Sequence, residues 1–167
     1  MLFQHLDVAF YYLRKKGLVR GITHPFTTTN SFFSVQLGMV HAEWSKHEDK
    51  DTYDWTRKCG VVTTIVSPKR NKDALLPWVK AQTVYIPVNV NNNHWLLVVV
   101  SVPGRTLTVY DSLRCDTEYV HPVIAQMAEL IPVIMCKRVY DGRSKVYPSS
   151  TPFQVVHAGY MPQQLNG

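Results

Sequence analysis

Residues 95–100, Trp-Leu-Leu-Val-Val-Val, are apolar at every position. A strand with one face in water alternates apolar and polar side chains, so an unbroken apolar run fits a central strand covered on both faces. Two further β-rich runs flank it, and the joins are Asn91-Asn92-Asn93 and Pro103-Gly104-Arg105, both composed of turn-forming residues. The pattern predicts an antiparallel meander of Thr83 to Val90, His94 to Val102 and Thr106 to Asp111. Helices are then required on each side of the sheet, which makes the fold α+β and layered.

The remaining segments supply those layers. Leu2, Leu6, Ala9 and Leu13, joined by Phe10, recur at helical spacing. Arg14, Lys15 and Lys16 stand where cations complement the helix dipole, and Gly17 is read as the stop. Gly21 to Asn30 reads as a loop. Ser31 to Val40 reads as a short helix packing Phe32, Phe33, Val35 and Leu37. The polar stretch from Lys46 to Lys58 reads as a surface connection, and the β-branched residues from Cys59 to Val66 as a strand or a buried loop. Val120, Val123, Ile124, Met127 and Ile131 define a second long helix that Pro132 should stop or kink. Phe153 to His157 is a last short strand. No repeat or low-complexity tract interrupts residues 1–167, which read as one domain.

Composition narrows the class. The net charge of +6 favours acidic partners without naming one. No helix-turn-helix, zinc finger or basic stripe with interleaved aromatics supports nucleic-acid binding, so that reading rests on the basic pI alone. Cys59, Cys115 and Cys136 are an odd set with no C-x-x-C pair, which suggests neither a disulfide framework nor a thiolate zinc site. A reducing intracellular compartment, nucleus or cytoplasm, is expected. His5 and Asp7 interrupt the apolar stretch at the start, and its basic cluster follows instead of preceding, so no signal peptide is read. Residues 95–100 fall far short of the ~20 needed to span a membrane. His5, His24, His41, His47, His121 and His157 show no metal-ligand spacing, and neither metal nor cofactor is assigned.

Three residues carry chemistry. A cysteine protease needs a thiolate, an imidazole to generate it, an acceptor that fixes the imidazole tautomer, and donors for the oxyanion. His94 opens the central strand, Asp111 ends the next, and Gln164 offers a side-chain amide. A hairpin looping through all of Pro103, Gly104 and Arg105 would set His94 and Asp111 on opposite faces. A two-residue Gly104-Arg105 turn would restore one face. Spacing permits the pair and leaves both arrangements open.

Four motifs then stand in order: Val84-Tyr85-Ile86-Pro87-Val88-Asn89, His94-Trp95, Val109-Tyr110-Asp111-Ser112-Leu113, and Pro162-Gln163-Gln164-x-Asn166-Gly167. The series resembles that of the ubiquitin-like protease family, which includes the SUMO-specific proteases, and His5 to Lys16 is similar to its first helix in plant and transposon-associated members. The resemblance implies a papain-like (clan CE) fold with a central, mostly antiparallel sheet between helices. It implies that His94 is the catalytic base, Asp111 the catalytic acid, Gln164 the oxyanion glutamine, and Trp95 the aromatic over the Gly-Gly tail of a SUMO-type modifier.

Two departures qualify the implied activity. The family pattern continues from Gln-Gln-x-Asn-Gly into Asp-Cys-Gly, whose cysteine is the nucleophile, whereas this sequence stops at Gly167. Met1 stands where a second clamp tryptophan is expected. None of the three cysteines has an evident paired histidine or helix N-terminus. The expectation is a single incomplete catalytic domain, inactive as it stands. A non-catalytic binding module for a ubiquitin-like protein, a gene fragment without function, and a basic nucleic-acid-associated protein are the alternatives.

Overall fold

The computed structural model describes residues 2–21, 23–68, 75–113, 119–140 and 149–159. It contains helix α1 (Leu2–Arg20), strand β1 (Phe26–Thr28), helices α2 (Phe33–Lys46), α3 (Trp55–Lys58) and α4 (Gly60–Val66), strands β2 (Thr83–Val90), β3 (His94–Ser101) and β4 (Thr106–Tyr110), helix α5 (Pro122–Ile134) and strand β5 (Gln154–His157). The strands form one sheet in the order β1-β2-β3-β4-β5. The expected meander is its centre, with β2–β3 and β3–β4 antiparallel. The edge strands β1 and β5 pair parallel to their neighbours, so the sheet is mixed.

One face of the sheet is the core. Val84, Ile86, Val88, Val98, Val100 and Leu107 are fully buried there, against Phe33 and Leu37 of α2 and Met127 and Leu130 of α5. The opposite face carries Trp95, Leu97 and Val99, each only partly buried. The two-sided covering predicted from the apolar run is therefore unequal. Helix α1 is the cover on this second side, lying against β1 and the groove next to Trp95. Its apolar stripe is less buried than its spacing suggested, because Ala9 and Leu13 stay exposed. Polar tethers fasten it instead. The Asp7 carboxylate accepts from Ser31 N at 2.7 Å and Ser31 Oγ at 3.1 Å, and the buried Arg14 guanidinium donates to Thr28 Oγ1.

Several sequence readings need correction. Gly17 does not end α1; the helix runs to Arg20, and Gly21 takes the left-handed conformation (φ +59°) that glycine adopts freely. The segment read as a loop contains β1. The helix expected over Ser31 to Val40 begins at Phe33 and runs on to Lys46. The connection before Lys58 is not all surface, since Tyr53 and Trp55 are buried and the Asp54 carboxylate caps α3 through Thr56 N and Arg57 N. Cys59 to Val66 is helical from Gly60 on, with Val62, Ile65 and Val66 buried at i, i+3 and i+4 and Val61 exposed. There, packing of a helical face overrides β-branched propensity.

Helix α5 passes Pro132 without stopping. Proline has no N–H to give the carbonyl four residues back, which leaves Ala128 O without its helical donor. Phe153 N donates to that carbonyl at 2.9 Å, immediately before β5 begins. The break in the helical ladder is thus the docking point for the chain that leads into β5. In Pro132→Ala the new amide competes for the same carbonyl. Hydrogen exchange at Phe153 should then accelerate roughly fivefold, as loss of a bond worth about 1 kcal/mol requires; unchanged exchange would separate the proline from this contact.

Candidate active site

The β3–β4 loop decides whether His94 and Asp111 can meet. It is neither of the two turns that the sequence left open. Ser101 pairs with Thr106 across a four-residue loop, Val102 to Arg105, with Arg105 left-handed at φ +54°. Leu97 pairs with Tyr110, so one step further along the antiparallel register sets Asp111 opposite Leu96, on the same face as His94. The preceding β2–β3 turn brings His94 into place. Asn91 and Asn92 both have positive φ (54° and 60°), a conformation asparagine tolerates, and Val90 pairs directly with His94.

The two side chains are joined by a 2.7 Å hydrogen bond from His94 Nε2 to Asp111 Oδ1 and are only 16% and 11% exposed. An ionised carboxylate accepts and cannot donate, so the shared proton belongs to Nε2 and the lone pair of the neutral ring is on Nδ1. Leu113 N also donates to Asp111 Oδ1 at 2.9 Å, which holds the carboxylate in place from its own chain. The arrangement is an oriented imidazole with a basic nitrogen available, the requirement for a general base.

The pair borders a cavity of about 160 Å³, closed by Val90, Leu96, Val109 and Ile124 and carrying Asn91, Asn93, Tyr119, His121 and His157 on its polar side. Across the sheet, Trp95 lines a larger groove of about 640 Å³ between α1 (Leu6, Ala9, Phe10) and Pro87, Leu97 and Tyr110. Leu96 borders both, so the two spaces adjoin across β3. Gln164 and Cys115 lie outside the described residues. Cys59 is buried at the α3–α4 junction, and neither it nor Cys136 lines the cavity. Among the described residues, no group of three His, Cys, Asp or Glu side chains is disposed to hold a metal ion. No described helix is long and apolar enough to cross a membrane. In the sequence His121 and His157 were weighed only as metal ligands, for which their spacing gave no support; that His157 shares a face with Val109 becomes visible only when β4 and β5 pair.

Residues 10–167 match the family described as Ulp1 protease family, C-terminal catalytic domain. No curated protein matches the sequence. Among solved structures, the Ulp1-like SUMO protease catalytic domain of Chaetomium thermophilum is similar with a TM-score of 0.50 at 18% identity, over 88% of this chain and 47% of that one. The C-terminal Ulp1 protease domain solved in complex with Smt3, the yeast ortholog of SUMO, gives 0.46 at 21% identity, over 96% of this chain and 56% of that one. The chain therefore spans about half the length of the structures it matches.

If His94 and Asp111 act as one unit, their truncations are not additive. A double-mutant cycle of His94→Ala and Asp111→Ala in urea unfolding should give a coupling of about 0.5–3 kcal/mol; additive losses would show that the bond contributes nothing in solution.

Proposed function

The chain belongs to the Ulp1 protease family, and on that premise we propose that it supplies the base, the orienting acid and the tail-binding groove of a cysteine peptidase that cleaves SUMO-type proteins after their C-terminal Gly-Gly. The observation that carries this reading is the part-buried 2.7 Å bond between His94 and Asp111, in a cavity that adjoins, across β3, the apolar groove next to Trp95. Nδ1 of His94 deprotonates a cysteine thiol, and the resulting thiolate attacks the carbonyl carbon of the terminal glycine. The imidazolium then returns the proton to the leaving amine as the tetrahedral intermediate collapses. Asp111 keeps the ring in the productive tautomer, and Gln164 donates to the oxyanion.

The thiol is the part that the cavity does not supply. No cysteine among the described residues lines it. We propose that the 167-residue polypeptide by itself binds a modifier without cleaving it, in a nuclear or cytoplasmic compartment that keeps thiols reduced. It should release nothing from a SUMO fusion and take no label from a modifier bearing a C-terminal electrophile. Extension through Asp-Cys-Gly and the helix that follows should create activity that His94→Ala abolishes and Asp111→Asn lowers roughly 10²–10⁴-fold. Cleavage by the unextended chain that Cys115→Ala removes would overturn the assignment of the nucleophile.

Binding rests on the groove, whose α1 wall is held by Asp7. Titration with SUMO-type and ubiquitin-type proteins should show micromolar affinity at best, about −8 kcal/mol, for the preferred modifier. Both Trp95→Ala and Asp7→Ala should weaken it, the first by removing the platform and the second by loosening the helix. Absence of any chemical-shift change at Trp95 at high modifier concentration would remove the groove from the reading.

A further inference from the structure

The cavity beside His94 and Asp111 holds an imidazole with no assigned task. His157 is the last residue of β5, and its pairing with Val109 turns its side chain to the same face as Asp111, one strand away. Its Nε2 is buried and has no hydrogen-bond partner among the described residues. Val155, the other inward residue of β5, is apolar and packs on the core. An apolar residue at 157 would satisfy the same layer, so a buried, unpartnered ring nitrogen at this place is costly unless something in the cavity bonds to it.

The cavity meets the conditions for water. It measures about 160 Å³, whereas one water needs only about 10–15 Å³ of such space and two to four polar partners. His157, Asp111, Asn91 and Asn93 border it together. The titratable groups that face His157 are His94 from β3, Asp111 beyond β4, and Tyr119 and His121 ahead of α5. His121 is committed in part to the helix, where its Nδ1 accepts from Val123 N at 3.3 Å.

We propose that His157 is a positioning residue for the His94–Asp111 pair, acting on the carboxylate through water held in the shared cavity. This rests on the reading of His94 as base and Asp111 as its orienting acid. A neutral His157 donating through water spreads the charge of Asp111 and leaves less of it to stabilise the His94 imidazolium. A charged His157 acts in the same direction, by repelling that imidazolium. In both protonation states His157 therefore acts against the hold that Asp111 gives a proton on His94.

The test is imidazole NMR on the ¹⁵N-histidine-labelled chain, titrated from about pH 5 to pH 9, a range that spans the ordinary histidine pKa. The expected spectrum has the His94 proton on Nε2 in the neutral form; the opposite tautomer would overturn the reading of the pair itself. Given the expected tautomer, His157→Phe should raise the His94 midpoint by about half a pH unit or more, roughly threefold in proton affinity. His157→Gln, which keeps a donor, should bring the midpoint back towards that of the unsubstituted chain. A His94 midpoint unmoved in a folded His157→Phe variant overturns the proposal. Should that variant not fold, the reciprocal measurement decides: Asp111→Asn must shift the His157 resonances and lower the His157 midpoint, and an unmoved His157 overturns the proposal as surely.

Discussion

The candidate site depends on the pairing register of β3 with β4. Side chains alternate across a strand, so a slip of one residue would turn Asp111 to the face of Trp95 and leave His94 without its carboxylate. Two forces hold the register. Val98 and Val100 of β3 and Leu107 and Val109 of β4 are buried on one face, and a slip would move one pair of them into partial exposure. The loop adds the second. Arg105, in a left-handed conformation that costs a non-glycine residue about 1–2 kcal/mol, donates from Nη2 to Thr151 O at 2.7 Å and lies 4.9 Å over the Phe153 ring. Its carbonyl accepts from Gln154 N at 3.1 Å. The strained residue of the hairpin is thereby fastened to the segment that opens β5.

That segment is held from the other side by α5. Phe153 N takes the carbonyl that Pro132 leaves without a donor, and the Phe153 side chain is itself buried. The same three residues, Thr151 to Phe153, thus join the β3–β4 loop to the second layer of helix and set the height at which β5 pairs with β4. The position of His157 against Val109 follows from this docking. A proline that reads as a helix breaker in isolation becomes, in the packed fold, part of what docks β5 beside the cavity.

How much of this was legible in sequence varies with how local the cause is. The central strands and the joins between them were visible, because alternation and turn chemistry are properties of a few consecutive residues. The order of the four motifs pointed to the family without any structure. The helix over Gly60 to Val66 was not legible, since Val, Thr and Ile favour strands until a neighbouring helix and sheet offer a groove for one helical face. Strand β1 is three residues long and owes its existence to the edge of β2. The pairing of His94 with Asp111 stayed ambiguous because it turned on the parity of one loop. A four-residue connection gives the same parity as a two-residue one, so the face-sharing allowed for Gly104-Arg105 came about through a different turn. His157 had no local signature at all, and its place is a consequence of tertiary docking.

Consecutive residues of β3 divide the labour of the site. His94 points to the core face, where burial and Asp111 fix one ring orientation, and Trp95 points to the opposite face, where α1 leaves a groove. Only the sheet separates them, and Leu96 borders the space on both sides. A polypeptide that lies against Trp95 and presents a carbonyl to His94 has to pass the end of the strand, where β3 begins after the asparagine turn. On the function proposed for this chain, that route favours a segment with no side chains to collide with the indole or the turn. Glycine alone meets that condition while keeping its backbone N–H and C=O free to be held. On that proposed function, a preference for a Gly-Gly tail would follow from the two-residue period of a β-strand: the residues proposed as base and platform are neighbours in sequence, and what passes between them must be thin.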